Sequence, residues 1–203
     1  MNIERTKYAF PWRKKLTELV GKSKAEEILL QADKQYKQLC HENSSDSEAL
    51  KIHTEKSIYS VVALYQVLLQ HFDKTESIRL TEILFRESVS MQAKTLKNFV
   101  CAMGIESSFP QIFAEEMQKN YSVESGFIID WITVSPQKAR FNVRSCPYVM
   151  VLTRCNCPEI CYLFCLADEL CYNNISRSLH WNRTNTLANQ NKCCDFSLEY
   201  YES

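Results

Sequence analysis

Most of the cysteines lie in one stretch near the C-terminal end of the chain. Eight of ten fall between Cys146 and Cys194. Cys161 and Cys165 are four residues apart, and Asp168 follows three residues later. On an α-helix this spacing places the three side chains on one face. A thiol can act as a nucleophile and a carboxylate as a general base, so this helix face carries groups that are capable of chemistry.

Three interpretations of these cysteines stay open at the level of sequence. Free cysteines often pack as small apolar side chains. Zinc is the second interpretation, although the Cys155-x-Cys157 and Cys161-x3-Cys165 spacings differ from the Cys-x2-Cys of most zinc knuckles. A reactive thiolate is the third, and it requires a nearby cation or helix N-terminus that lowers the thiol pKa. Arg183 is one candidate for that cation.

Composition argues against several classes of function. Lys+Arg and Asp+Glu both number 24, so the net charge is +0 and there is no basic surplus for binding nucleic acid. The three glycines (Gly21, Gly104 and Gly126) cannot build a P-loop or a dinucleotide-binding fingerprint. No apolar run is long enough for a membrane span, and no signal peptide is visible, so we expect a cytoplasmic protein. No organic cofactor is expected, and zinc stays open.

Hydrophobic periodicity predicts two regions with different secondary structure. Residues 1–122 show helical spacing, including one helix from Ser47 to about Phe72. Residues 123–203 begin with a β-rich run and then an alternating run, which together predict a hairpin. A helix starting at Pro158 follows, and then strands at about 178–187 and 193–200. The predicted fold is α+β, in which an N-terminal helical layer packs on a cysteine-rich β-β-α-β-β antiparallel sheet, as one compact unit.

Three blocks of the C-terminal third resemble a known family. In chain order they are Phe141-Asn-Val-Arg-Ser-Cys146, Cys161-x3-Cys165-x2-Asp168, and Arg183-Thr-Asn-Thr186 followed by Cys194-Asp-Phe196. Together they resemble the L-2-amino-thiazoline-4-carboxylic acid hydrolase family over roughly residues 127–200. The family's turn before Cys-Asp-Phe usually carries glycine, where this chain has Gln190 and Asn191. That departure means either that the turn alone is different or that this is a divergent member with altered chemistry.

The resemblance implies a hydrolase that opens a small cyclic amidine, such as a thiazoline ring carrying a carboxylate. It implies Cys165 as the thiol nucleophile and Asp168 as the base or orienting group. Thr184 and Thr186 alternate on a predicted strand, so we expect both hydroxyls to face the substrate. The other candidates for substrate contact are Cys146, Cys161, Cys194 and Arg144, the last as a partner of the substrate carboxylate.

Two other functions stay open. A helix followed by a hairpin with a cysteine near its last strand is also similar to the small-molecule-sensing domains related to 4-vinyl reductase. That similarity implies a ligand-binding sensor with a structural zinc. The third alternative is a biosynthetic enzyme of the hydrolase family with different chemistry. We expect a small-molecule partner, no nucleic acid and no membrane, and the N-terminal helices offer a surface for a homodimer.

Overall fold

The computed structural model describes residues 2–202, and it confirms the α+β class. The helices are α1 (Trp12–Val20), α2 (Lys22–Glu42), α3 (Glu48–His53), α4 (Tyr59–His71), α5 (Lys74–Met103), α6 (Phe109–Asn120), α7 (Pro147–Arg154) and α8 (Cys161–Tyr172). The strands are β1 (Ile128–Ser135), β2 (Lys138–Ser145), β3 (Leu179–Asn182) and β4 (Cys194–Tyr200). Helices precede the sheet, as the hydrophobic periodicity predicts.

The helical layer is built around α4, whose residues from Tyr59 to Tyr65 are all buried. The single helix predicted from Ser47 to Phe72 is wrong in one respect, because Thr54–Ile58 forms a π-helical turn between α3 and α4. A π turn alters the regular i→i+4 pattern of helical hydrogen bonds. Here the carbonyl of Lys56 accepts the backbone N–H of Lys7 at 2.8 Å. The turn therefore anchors the N-terminal segment to the helical layer.

The sheet is antiparallel with strand order β1-β2-β4-β3. Phe141 of β2 is paired with Phe196 of β4, and Val143 with Cys194. Because side chains alternate along a strand, these residues share the face that packs on the helices. Arg144 lies on the opposite, exposed face of β2. The buried face of the sheet is the wall on which a site can be built.

The region between the hairpin and the last two strands contains two helices, where the sequence predicted one. Pro147 occupies the first turn of α7, a position that tolerates its missing N–H, and the prediction missed this helix. The helix predicted to begin at Pro158 is a short 3-10 turn there, and α8 begins at Cys161. The order strand–strand–helix–strand–strand therefore needs this correction.

The last two strands are shorter than predicted. The strand expected over 178–187 ends at Asn182, because the next residues bind a side chain rather than the neighbouring strand. The strand expected from 193 begins at Cys194. Within residues 2–202, no helix combines the length and the hydrophobicity that a bilayer crossing needs.

Candidate functional site

A cavity of about 130 Å³ lies between α8, the buried face of the sheet and the N-terminal segment. The predicted stripe on α8 faces it, because Cys161, Cys165 and Asp168 all line its wall. Cys146, at the end of β2, and Cys194, at the start of β4, line it from the sheet. Five of the sequence-predicted site residues therefore meet around one space.

Asp168 is the carboxylate of this cavity. Its Oδ2 accepts a hydrogen bond from Nη1 of Arg183 at 2.9 Å, whereas Oδ1 has no hydrogen bond with any residue of 2–202. The Asp168 side chain is 37% accessible, as expected for a residue in the wall of a cavity that opens to solvent. Burial raises the pKa of Asp168 to about 6, against the opposing effect of the Arg183 and Lys7 cations. A carboxyl with this pKa can both accept and return a proton near neutral pH.

Arg183 holds Asp168 in place. Its side chain is only 2% accessible and donates to the carbonyl of Cys165 at 2.9 Å and to Glu169 at 2.7 Å as well as to Asp168. The guanidinium also lies 5.3 Å from the centre of the Phe196 ring, within the range of a cation–π contact. Three acceptors and one ring fix this cation against α8. The sequence indicated Arg183 only as a cation near a thiol, and its pairing with Asp168 was not predicted.

The loop after β3 owes its shape to Asp195. One oxygen of Asp195 accepts the backbone N–H groups of Thr184, at 2.9 Å, and Asn185, at 2.6 Å. The other oxygen accepts the hydroxyl of Thr184 and the side-chain amide of Asn185. These bonds lower the pKa of Asp195 to about 2 despite partial burial. The Arg-Thr and Cys-Asp blocks thus meet in space, and their contact holds the loop that presents Arg183.

The thiols of the cavity are protonated at neutral pH. Burial raises the pKa of Cys165 to about 12, although the Arg183 cation opposes the shift. Burial likewise raises the pKa of both Cys161 and Cys171 to about 11. It also raises the pKa of Cys146, even though nearby backbone N–H groups favour the thiolate. The depressed pKa that marks a reactive thiolate is absent from these cavity thiols.

Four tyrosines contribute hydroxyl groups to the cavity wall, and none has a hydrogen-bond partner among residues 2–202. This tyrosine group consists of Tyr8, Tyr121, Tyr148 and Tyr172. Burial raises the pKa of all four, so the hydroxyls stay protonated and can donate. The indole N–H of Trp181, a further lining residue, is buried without a partner within the described chain. The wall is therefore rich in donors that an acceptor-bearing ligand would satisfy.

Three predicted site residues lie outside this cavity. Thr184 binds Asp195 and does not line the wall. Thr186 caps a short 3-10 turn by accepting the N–H of Asn189 at 3.2 Å, and it lines a neighbouring depression. Arg144 pairs with Asp130 at 2.6 Å on the exposed face of the sheet. The expectation that both threonines face one site from a strand is wrong, because β3 ends before them.

A preformed metal centre is not seen in the described part of the chain. Among residues 2–202, no three His, Cys, Asp or Glu side chains are arranged to hold one ion. The cavity cysteines are free thiols, and thiols are the kind of ligand that zinc prefers. Zinc binding stays a prediction of the sequence.

Comparison with models of known protein families shows to which family this chain is related. The model of L-2-amino-thiazoline-4-carboxylic acid hydrolase matches residues 51–198. The chain belongs to this family. The match is wider than the C-terminal third on which the resemblance was based, since it also covers α4, α5 and α6. No curated protein matches the chain.

Two solved structures show weak overall likeness to this member of the hydrolase family. One is an NMR structure of an H-NOX domain from Shewanella oneidensis in the Fe(II)CO ligation state, with 10% identity, coverage of 98% of this chain and 99% of that chain, and a TM-score of 0.40. The other is a crystal structure of a mutant H-NOX protein from S. oneidensis in the Fe(II) ligation state, with 10% identity, 98% and 97% coverage, and a TM-score of 0.35. At these scores neither a shared fold nor a shared function follows.

The family match divides the cavity of this hydrolase-family protein into two parts. Asp168, Arg183 and the cavity cysteines lie within residues 51–198. Lys7 and Tyr8 lie before the match and reach the cavity from the N-terminal segment. No sequence motif connects Lys7 and Tyr8 to residues so distant along the chain, so neither could be predicted as part of the site.

Proposed function

We propose that this protein hydrolyses a small cyclic amidine of the thiazoline-carboxylate type in the cavity beside α8. One observation carries the proposal. Asp168 lines the cavity with one oxygen bonded to Arg183 and the other without a hydrogen-bond partner among residues 2–202, in a chain whose family is named for this hydrolysis. A positioned carboxylate with a pKa of about 6 suits proton transfer at neutral pH.

The reaction would take place at the ring carbon between nitrogen and sulfur. Asp168 accepts a proton from water as the water oxygen bonds to this carbon, and the electron pair of the C=N bond moves to the ring nitrogen, which takes up that proton. The bond from carbon to the ring sulfur then breaks as the new hydroxyl oxygen forms the C=O bond, and the hydroxyl proton passes through Asp168 to the departing sulfur. One water is consumed, and the product carries a urea group and a free thiol. No oxidation or reduction occurs, so the step needs no redox cofactor.

Cys165 could act in one of two ways, and experiment can distinguish them. As a nucleophile, its sulfur would bond to the ring carbon and displace the ring sulfur, and water would then release the adduct. That route needs the thiol to lose its proton, and a pKa of about 12 makes the thiolate rare at neutral pH. The raised pKa therefore favours water as the attacking group, with Cys165 as a neutral thiol in the cavity wall.

The test is ring opening of L-2-aminothiazoline-4-carboxylate by purified protein, followed by mass spectrometry of the product. We expect turnover by the wild type and a loss of about 100-fold or more in Asp168→Asn, the magnitude typical of removing a general base. Asp130→Asn is the matched control, because Asp130 lies on the exposed face of the sheet. Absence of turnover by folded wild-type protein would refute the proposed substrate class.

A further inference from the structure

We propose that Lys7 and the tyrosine group form a carboxylate-binding wall, which makes the cavity selective for substrates that carry a carboxylate. This inference rests on the proposed function and adds the part of the site that would orient the substrate. It assigns a binding role to a segment outside the family match. The occupant is defined by its chemistry, which is a small ring bearing one carboxylate.

The N-terminal segment is fixed by hydrogen bonds that place Lys7 at the cavity. Its backbone N–H donates to the carbonyl of Lys56 in the π-helical turn at 2.8 Å. Its carbonyl accepts the side-chain amide of Gln92 at 2.9 Å. The next carbonyl, of Tyr8, accepts the hydroxyl of Ser88. Two helical elements therefore hold this short segment against the cavity, and its position does not depend on the Lys7 side chain.

The Lys7 ammonium group is available to a ligand. It lies 5.3 Å from the centre of the Tyr8 ring and forms no salt bridge with any carboxylate of residues 2–202. Lys7 nevertheless lines the cavity, and its charge acts on Asp168, Cys171 and Tyr121. Lys7 is exposed to solvent and also lines the cavity, and a cation there without a salt-bridge partner can bind an anion that enters.

The tyrosine hydroxyls supply the neutral donors of the same wall. Tyr148 interacts electrostatically with Tyr121 and Tyr8, and Tyr172 does so with the same two residues. All four side chains line the same cavity, and none of their hydroxyls has a hydrogen-bond partner among residues 2–202. A carboxylate has two oxygens that can accept from both an ammonium and several hydroxyls. Donors of this kind have no acceptor in the ligand-free cavity and gain one when a carboxylate binds.

The wall would also orient the substrate. Asp168 interacts electrostatically with Lys7 and with tyrosines of the group, and it lies on the same helix face as Cys165. A carboxylate held by Lys7 cannot share its position with the Asp168 carboxylate, because the two negative charges repel. The ring attached to the carboxylate would then be the part of the substrate that reaches Asp168. Binding energy at Lys7 would thus be used to position the reacting carbon.

The test compares two ligands, L-2-aminothiazoline-4-carboxylate and its neutral 4-carboxamide. Binding is measured by isothermal titration calorimetry, and turnover by mass spectrometry. Wild-type protein, Lys7→Met, Lys7→Arg and Tyr121→Phe are compared with two controls. Lys14→Met removes an exposed lysine of α1, and Tyr201→Phe removes a hydroxyl outside the cavity. Melting curves of every variant establish that it is folded.

We expect Lys7→Met to raise the Kd and KM for the carboxylate about 10- to 100-fold, as for loss of a charge-assisted hydrogen bond, and to change those for the carboxamide less than about twofold. Lys7→Arg should recover most of the affinity, and Tyr121→Phe should weaken carboxylate binding by about two- to tenfold. If wild-type protein binds both ligands equally, or if Lys7→Met behaves like Lys14→Met, the inference is wrong. Selective binding without turnover would instead count against the proposed hydrolysis alone, and turnover without selectivity would count against the carboxylate wall alone.

Discussion

Nη1 of Arg183 donates to Oδ2 of Asp168 at 2.9 Å, and this bond joins the loop after β3 to the centre of α8. The guanidinium is almost inaccessible, whereas the carboxylate presents its other oxygen to the cavity. Burial favours the neutral carboxyl and the cation favours the carboxylate. Their balance gives Asp168 a pKa at which a proton can move in either direction under physiological conditions.

Removing the cation should shift the pH dependence of the enzyme. In Arg183→Met the opposing charge is lost, so the pKa of Asp168 should rise above about 6. The acidic limb of the kcat/KM profile for ring opening should move to higher pH by the same amount. Arg183→Lys should move it less, because the charge is kept. Arg79→Met, which removes an exposed arginine of α5, is the control. An unshifted limb in a folded Arg183→Met protein would contradict the role given to this cation.

Asp168 should make the folded protein less stable at neutral pH than at acidic pH. Its pKa is about 6 in the folded state and about 3.9 in an unfolded chain, so the folded state binds the proton more tightly between these values. The stabilisation from that proton is present below about pH 4 and is lost as the pH rises through about 6. Asp168→Asn cannot ionise, so its Tm relative to wild type should be higher at pH 7.5 than at pH 4.5. A Tm difference independent of pH would show that Asp168 has an ordinary pKa.

The cavity thiols should react slowly with iodoacetamide at pH 7. Their raised pKa values keep them protonated, whereas Cys101 is exposed on α5 and should be alkylated first. Peptide mass spectrometry over time measures the order.

If water is the nucleophile, Cys165→Ser should keep ring opening within about tenfold of wild type, like the control Cys101→Ser. Rapid alkylation of Cys165, together with loss of turnover in Cys165→Ser, would establish the thiol route instead.

Gln190, in the turn before β4, has a strained backbone conformation, and substitution by glycine should remove the strain. Gln190 has φ of +62°, a left-handed conformation that costs a side-chain-bearing residue roughly 1 kcal/mol or more. Gln190→Gly should therefore raise the free energy of unfolding by about 0.5–1 kcal/mol, measured by urea denaturation. Asn191 follows without a positive φ, so Asn191→Gly should lower it by a similar amount. Equal effects of the two substitutions would contradict this account of the turn.

The sequence predicts the part of the site that depends on local spacing. Cys161, Cys165 and Asp168 recur at helical intervals, so their common face followed from helix geometry alone. Alternation in β2 likewise predicted a half-buried strand, and its buried side chains include Phe141. Local periodicity is enough where one element supplies every member of a group.

The rest of the site depends on contacts between distant segments. Lys7 reaches the cavity because the π-helical turn accepts its N–H and Gln92 binds its carbonyl, and no sequence pattern predicts that turn. Arg183 reaches Asp168 because Asp195 binds the residues after it and ends β3 early. The predicted strand was longer than β3, and alternation along it wrongly placed Thr184 and Thr186 at the cavity. Side-chain hydrogen bonds of this kind override the regular pattern of a strand.

The pH profile of kcat/KM for ring opening of L-2-aminothiazoline-4-carboxylate, measured with wild type and Asp168→Asn, tests the central claim most directly. If Asp168 is the general base, the wild-type value should rise about tenfold per pH unit below about pH 6 and then level off. Asp168→Asn should be at least about 100-fold less active at pH 7.5 and should lack that limb. A wild-type profile that is flat through pH 6, or an Asp168→Asn protein that keeps both the rate and the limb, would contradict the assignment of Asp168.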